Sequence, residues 1–262
     1  MTQSIEPYFY GQGEILIARR TNNGTKPKWR RAWDVSALTL ALAVESFTHK
    51  ESMTGQKEDR RKIITGRTAT ANMTMHNIDT ANLALTLHGE ENVVVGGSIT
   101  GESLPAVLEV GDIVLLDHPG VSNLVLTDSS GTPATLDEEH YHLDPAYGHI
   151  QILGLPSSPA PTQPFKAAYT HSGLSQVGVF AATPPEIMVR YNGINLAENG
   201  AAVVVDLWRM ATDPLSELAL INNDQALAGM PLAATILSDA MQPVDSTLGR
   251  FGRIAFVNPI GP

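Results

Sequence analysis

VSALTLALAVESFTH, residues Val35–His49, decides the fold. Leu38, Leu40, Leu42 and Val44 alternate with Thr39, Ala41, Ala43 and Glu45, the period of two that a strand shows when one face rests on a core. A second stretch begins at Ile63. In it Thr68, Thr70, Asn72 and Thr74 alternate with Ala69, Ala71, Met73 and Met75, and the two stretches read as an antiparallel pair. The residues between them, 50–66, are too many and too charged for a tight turn. They are expected to project as a protruding loop beyond the sheet; an ordinary solvated surface loop is the simpler reading of the same residues.

Outward from this pair, Asn77 is placed to cap a short helix over IDTANLALTLHG, with Ile78, Leu83, Leu85 and Leu87 as its apolar positions and Gly89 at its C-cap. The chain then returns to short strands: DIVLLDH, SNLVLTD and a hairpin in HYHLDPAYGHIQIL that turns between Asp144 and Gly148. LPSSPAPTQPF, with Pro156, Pro159, Pro161 and Pro164, reads as a stiff connector. Further strands are expected at Lys166–Tyr169, Gln176–Ala181, Glu186–Asn192, Ala202–Thr212 and Met230–Met241, and one or two helical turns at Leu215–Ile221 after Asp213 and Pro214. The expected fold is mainly β: an antiparallel β-sandwich or open barrel with one packed helix and a long protruding hairpin. A single domain over residues 1–262 is expected, with 104–165 as an inserted β subdomain.

The 262 residues include 43% hydrophobic and 17% charged positions, a globular composition. Charge is unevenly placed. Up to Arg67 there are 12 basic and 7 acidic residues; from Thr68 on there are 5 basic and 20 acidic, and no Lys or Arg falls between 68 and 165. A chain with unlike ends is suited to asymmetric, head-to-tail contacts with copies of itself. The net charge of −10 opposes tight, sequence-independent nucleic-acid binding. With no cysteine, disulfides, zinc thiolate sites and cysteine nucleophiles are excluded. The N-terminal sequence lacks a signal-peptide pattern and no apolar run nears the roughly 18 residues of a membrane span, so a protein made in the cytoplasm without a membrane anchor is expected.

Catalytic motifs are scarce. No nucleophile elbow, Walker A, H-E-x-x-H or dinucleotide glycine pattern occurs, and NNGTK at Asn22–Lys26 reads as a hairpin turn. His140 and His142, two apart, would share one face of a strand, with Asp144 or His149 across the turn as further metal ligands; that geometry is permissive but not specific, and an ordinary exposed strand is the preferred reading. Asp137, Glu138 and Glu139 read as a solvated turn, since adjacent carboxylates cannot all face one calcium ion. KEDRRK, Lys57–Lys62, mixes both signs and lacks aromatics, which suits a protein partner better than nucleic acid.

The order of these elements resembles the major tail tube proteins of long, non-contractile bacteriophage tails. The resemblance rests on the opening strand Gly13–Arg19, Trp33 and Asp34 before the long alternating strand, the charged hairpin ending at Gly66 and the helix with Asn82–Leu85. It continues through the Tyr141–Ile150 hairpin and Tyr191–Asn195 with Val204–Leu207. It implies a non-enzymatic subunit without cofactor or metal that forms hexameric rings, stacked into a hollow tube for DNA delivery in the virion tail after assembly in the host cytoplasm. It also implies an acidic lumen past which DNA slides, and tape measure, distal and terminator proteins as partners. The inter-ring loop would be Glu51, Lys57, Glu58, Asp59, Arg60, Arg61, Lys62 and Arg67, and the ring sheet would be built on Leu38, Leu40, Leu42, Val44, Thr68, Thr70, Asn72 and Thr74. Two other classes remain open: a carbohydrate- or surface-binding β-sandwich, and a metal-dependent hydrolase using His140, His142 and Asp144.

Overall fold

The structure, a computed structural model, describes residues 8–21, 25–223, 227–242 and 249–257. In chain order β1 (Gly11–Arg19), β2 (Trp29–Arg31), β3 (Val35–Lys50) and β4 (Asp59–Met75) precede the helix α1 (Thr80–Thr86). Short strands follow: β5 (Glu91–Val94), β6 (Gly97–Ser103), β7 (Ile113–Leu115), β8 (Val121–Thr127), β9 (Thr135–Leu136), β10 (Tyr141–Asp144), β11 (His149–Ile152), β12 (Lys166–His171) and β13 (Leu174–Val177). The last are β14 (Ile187–Asn195), β15 (Ala201–Thr212), β16 (Met230–Ile236) and β17 (Gly252–Phe256). The protein is mainly β, with antiparallel sheets and, among the described residues, one α-helix. The NNGTK turn lies largely outside the described residues, because Asn22, Asn23 and Gly24 are not among them.

Where a single domain was expected, the chain forms two compact units, one from the residues up to 91 and from 177 on, the other from 92–176. Each has its own core, which is why they separate. The segment 104–165 lies within the second unit.

In the first unit eight strands form one sheet in the order β2-β1-β14-β15-β16-β4-β3, with β17 also on β15. One edge of β15 runs along β14. Its other edge is shared: Val203–Leu207 pair with β17, and Met210–Thr212 pair with β16. The sheet therefore forks at β15. Its core holds Ile15, Ile17, Met73, Met75, Ile187, Met210, Met230 and Leu232, and burying each large apolar side chain contributes roughly 1.5–3 kcal/mol.

The helix begins one cap later than expected. Asp79, not Asn77, is the N-cap, and its Oδ1 accepts from the Asn82 amide at 2.7 Å. At the other end the C-cap is Leu87 and not Gly89; His88 takes the left-handed conformation (φ 47°), and the Gly89 amide donates to the Ala84 carbonyl at 2.8 Å, closing a Schellman turn. Asn82, fully buried, accepts from Arg30 at 2.6 Å and donates to the Asn77 carbonyl at 3.0 Å, tying the helix to β2. The helical turns expected at Leu215–Ile221 do not form. There the Leu215 amide bonds the Thr86 carbonyl at 2.8 Å, and Leu215 and Leu218 pack on the core, so tertiary contacts replace the local ladder. Two strands also end early, β13 at Val177 and β16 at Ile236.

The second unit holds a three-stranded sheet, β10-β11-β7, a four-stranded sheet, β6-β12-β8-β9, and the ribbon β13-β5. Phe165, Leu126, Ile150 and Ile152 fill its core. The β10–β11 turn forms as read: the Gly148 amide donates to the Asp144 carbonyl at 2.9 Å, and Gly148 sits at φ 67°. A Cβ there would lie 2.5 Å from the His118 carbonyl oxygen, so glycine is required twice over. In place of a helix or strand, the Asp128 carboxylate organises the neighbouring loop, accepting from the amides of Ala134 (2.7 Å) and Thr162 (3.2 Å) and the Ser130 hydroxyl (2.8 Å).

Candidate assembly surface

β3 and β4 pair from Val35 opposite Met75 to Lys50 opposite Asp59, with register shifts that leave Ser36, Thr65 and Arg60 as extra residues. The expected loop over 50–66 is therefore mostly strand. Phe47, Thr48, Ile63 and Ile64 are strand formers, and the shifts at Thr65 and Arg60 absorb the register mismatch. The connection shrinks to residues 51–58. Arg60, Arg61, Lys62 and Arg67, read as loop, lie on β4.

The alternation of β3 marks a strand but not a buried one. Leu38 packs on the core, yet Leu40 is exposed, Leu42 is 80% exposed and Val44 55%. On β4 the buried set is Ala69, Ala71, Met73 and Met75, while Thr68, Thr70 and Asn72 face solvent and Thr74 is half-buried. The fork explains this. Leu40, Leu42 and Val44 line an open apolar cleft of about 380 Å³ together with Val205, Leu207, Phe251 and Ile254. Beyond Val44 every residue of β3 is exposed, and β4 from Asp59 to Ile64 likewise. The distal ribbon thus has both faces in solvent.

Its strand edges are open too. β3 ends the sheet order and, among the described residues, pairs only with β4. β16 pairs β4 only from Ala69 to Met75, so the edge of β4 before Ala69 carries no strand partner among the described residues.

At the tip, Glu51 is not the projecting contact expected. It is 9% exposed, and its carboxylate accepts from the amides of Met53 (3.0 Å) and Thr54 (3.1 Å) and from the Thr54 hydroxyl. These bonds, the Thr54 hydroxyl first, hold its carboxyl below the usual glutamate range. Lys57, Glu58 and Asp59 are exposed, and Asp59 pairs with Lys50 at 3.0 Å. Arg61, Lys62 and Arg67 are exposed and carry no ion pair among the described residues.

Charge is not sorted between the chain's two ends. Acids of the C-terminal part are paired inside the first unit with arginines from both parts: Asp239 with Arg20 (2.7 Å), Glu186 with Arg209, and Asp206 with Arg253 (2.8 Å). The excess acid belongs to residues 92–176, which hold 9 acidic residues and one basic one, Lys166.

The histidine pair weighed as a metal site does not share a strand. His140 lies in a short 3₁₀ turn, Glu138–His140, and not on β10, so it does not share a strand face with His142. His140 Nε2 is 3.7 Å from Glu139, and Asp137, Glu138 and Glu139 are exposed. Among the described residues no cluster of three or more His, Asp or Glu is arranged to hold a metal ion, and no helix is long and apolar enough to cross a membrane. Phe47, Ile63 and Ile64 are surface groups outside the expected contact set; apolar residues set among charges on both arms of the hairpin are their signal in the sequence.

Fold and surface together define a two-unit antiparallel β protein with an open, amphipathic hairpin. It belongs to the family described as "Protein of unknown function UCP028589", which its residues 8–255 match. No curated protein matches the chain.

Proposed function

We propose that this chain is a self-assembling structural subunit, of the kind that forms hexameric rings stacked into the hollow tube of a long phage tail, and not an enzyme. The observation that carries this reading is the distal β3–β4 ribbon. A two-stranded hairpin is marginal alone in water, yet this one exposes Leu42, Val44, Phe47, Ile63 and Ile64 and leaves strand edges open on both sides. Such a feature is an aggregation hazard in a monomer and a joint in an ordered assembly. In this reading copies pair at their sheet edges, the ribbon reaches the next ring, no cofactor is needed, and the tube sits in the virion tail with tape measure, distal and terminator proteins as partners. DNA passes through without sticking.

Reversing charge with Arg60→Glu, Arg61→Glu and Lys62→Glu is expected to suppress association while leaving the melting temperature nearly unchanged. Normal assembly by the reversed protein would remove the ribbon from the contact.

A second reading, a carbohydrate- or surface-binding module, is favoured by the exposed aromatics Tyr8, Tyr10 and Trp33. Binding of a monomer to a polysaccharide array would support it.

A further inference from the structure

The second unit carries a groove that matches the ribbon in charge, polarity and backbone. It is lined by β6, by β7 and by the residues between them, including Ile99, Glu102, Val107, Asp112, Ile113 and Asp117, and has a volume of about 860 Å³. Both bordering strands are edges: β6 ends the four-stranded sheet and β7 ends the three-stranded one. On β7 the direction of the backbone follows from its neighbours. The Asp112 carbonyl accepts from Ile152 and the Leu116 amide donates to Gly148, so the even positions face β11 and the N–H and C=O of Ile113 and Leu115 point to the open side. Val114 is buried in the core, while Ile113 and Leu115 are exposed apolar side chains beside it.

The rim is acidic. Asp117 is exposed, Asp112 accepts from the Glu109 amide at 2.8 Å, and Glu102 accepts from the Tyr169 hydroxyl and the Asp117 amide. Only Lys166 offsets the carboxylates of this unit. A strand that suits the groove is extended, has a free edge, and carries cations and branched apolar side chains.

β4 between Arg60 and Arg67 meets each requirement. Its edge is open before Ala69, Ile63 and Ile64 are exposed, and Arg61, Lys62 and Arg67 have no ion-pair partner among the described residues. We infer that the distal β4 edge of one copy adds to the β7 edge in the groove of a second copy, a strand-addition contact. This rests on the self-assembly reading above and names the surface that the ribbon meets. Exposed ion pairs are worth about 0.2–1 kcal/mol each and are screened by salt, so one contact is weak and depends on many being made at once.

The absence of cysteine makes a direct test available. Full-length Arg61→Cys and Leu115→Cys proteins are prepared separately, mixed in equal amounts under assembly conditions and oxidised. A cross-linked dimer is expected from the mixture well in excess of that from either variant alone, suppressed by high salt. Particles that form without excess cross-link overturn the groove contact and leave self-assembly standing; wild-type protein that stays at monomer mass overturns both.

A charge swap gives a second readout. Asp112→Lys with Asp117→Lys is expected to reduce association several-fold, and adding Arg61→Glu with Lys62→Glu to the same chain is expected to restore it. Failure of the four-fold variant to recover, with its β-sheet circular dichroism intact, overturns the pairing.

Discussion

Phe47 of β3 stands directly opposite Ile63 of β4, and the two are 59% and 46% exposed. An apolar pair across a ladder ordinarily marks a covered face. Here both side chains stay exposed. Replacing both, Phe47→Ser with Ile63→Ser, is expected to change unfolding stability by less than about 1 kcal/mol while lowering the associated fraction. Thermal melting and sedimentation velocity on the same samples check both halves; a large loss of stability would mean that the pair serves the fold and not an interface.

The same hairpin offers an internal contrast. Met73 is buried opposite Leu38, whereas Leu42, four residues further along β3, is open to solvent. Met73→Ala is expected to cost about 2–5 kcal/mol, and Leu42→Ala no more than about 0.5 kcal/mol, measured by urea denaturation. Similar costs at the two positions would show that the apolar cleft is filled in solution.

Asp239 and Arg20 form a buried ion pair that also involves Glu186 and Arg209. Burial acts to raise the Asp239 carboxyl, but the Arg20 hydrogen bond, the Met241 amide and the charges of Arg20 and Arg209 outweigh it and leave it below its ordinary value. Glu186 is lowered as well, chiefly by its hydrogen bond from Arg209. Carboxyls lowered in the folded state stabilise it fully above their unfolded values, near pH 4, and lose that contribution as pH falls through the lower folded values. The melting temperature is therefore expected to decline below about pH 4, and Asp239→Asn to destabilise by about 3 kcal/mol at neutral pH while flattening the decline. An unchanged acid limb in the variant would assign it to other groups.

Glu51 predicts a local effect of the same sign. Its lowered carboxyl holds the amides of Met53 and Thr54, so the order it gives the tip is complete above the ordinary glutamate range and is lost as pH falls through its lower folded value. Hydrogen exchange of these two amides, corrected for intrinsic rates, should show protection that Glu51→Gln weakens. Equal protection in both proteins would mean that the strands alone order the tip.

At the helix start, Asp79→Ala removes the bond to the Asn82 amide and is expected to cost about 1 kcal/mol. The same replacement at Asn77 should cost less, because it keeps the carbonyl that accepts from Asn82 and loses only the long side-chain bond, 3.3 Å, that Asn77 donates to the Asp79 carboxylate. Urea midpoints of the two variants decide the order.

Strand identity was legible because its signals are local: β3 and β4 alternate in sequence, and β14 and β15 are strand-forming runs set off by Gly, Pro or Asn. Burial was not, since Leu40, Leu42 and Val44 follow the same pattern as Leu38 and lose their cover only because β15 divides its free edge between β16 and β17. That division depends on residues more than 150 positions away in sequence. The helix cap was misplaced by two residues because Asn77 and Asp79 are both good caps, and the choice falls to the aspartate whose carboxylate reaches the Asn82 amide. The charge asymmetry was real as a count but misleading as geometry, because folding pairs Arg20 with Asp239 across the chain. What remained was the surplus of acid in residues 92–176.

Whether copies of this chain join into rings is read from negative-stain electron microscopy of the purified full-length protein, over a concentration series at low and at physiological salt. Rings or hollow tubes of uniform diameter are the predicted result. A monodisperse population of single particles at every concentration, confirmed as monomers by sedimentation, would contradict it.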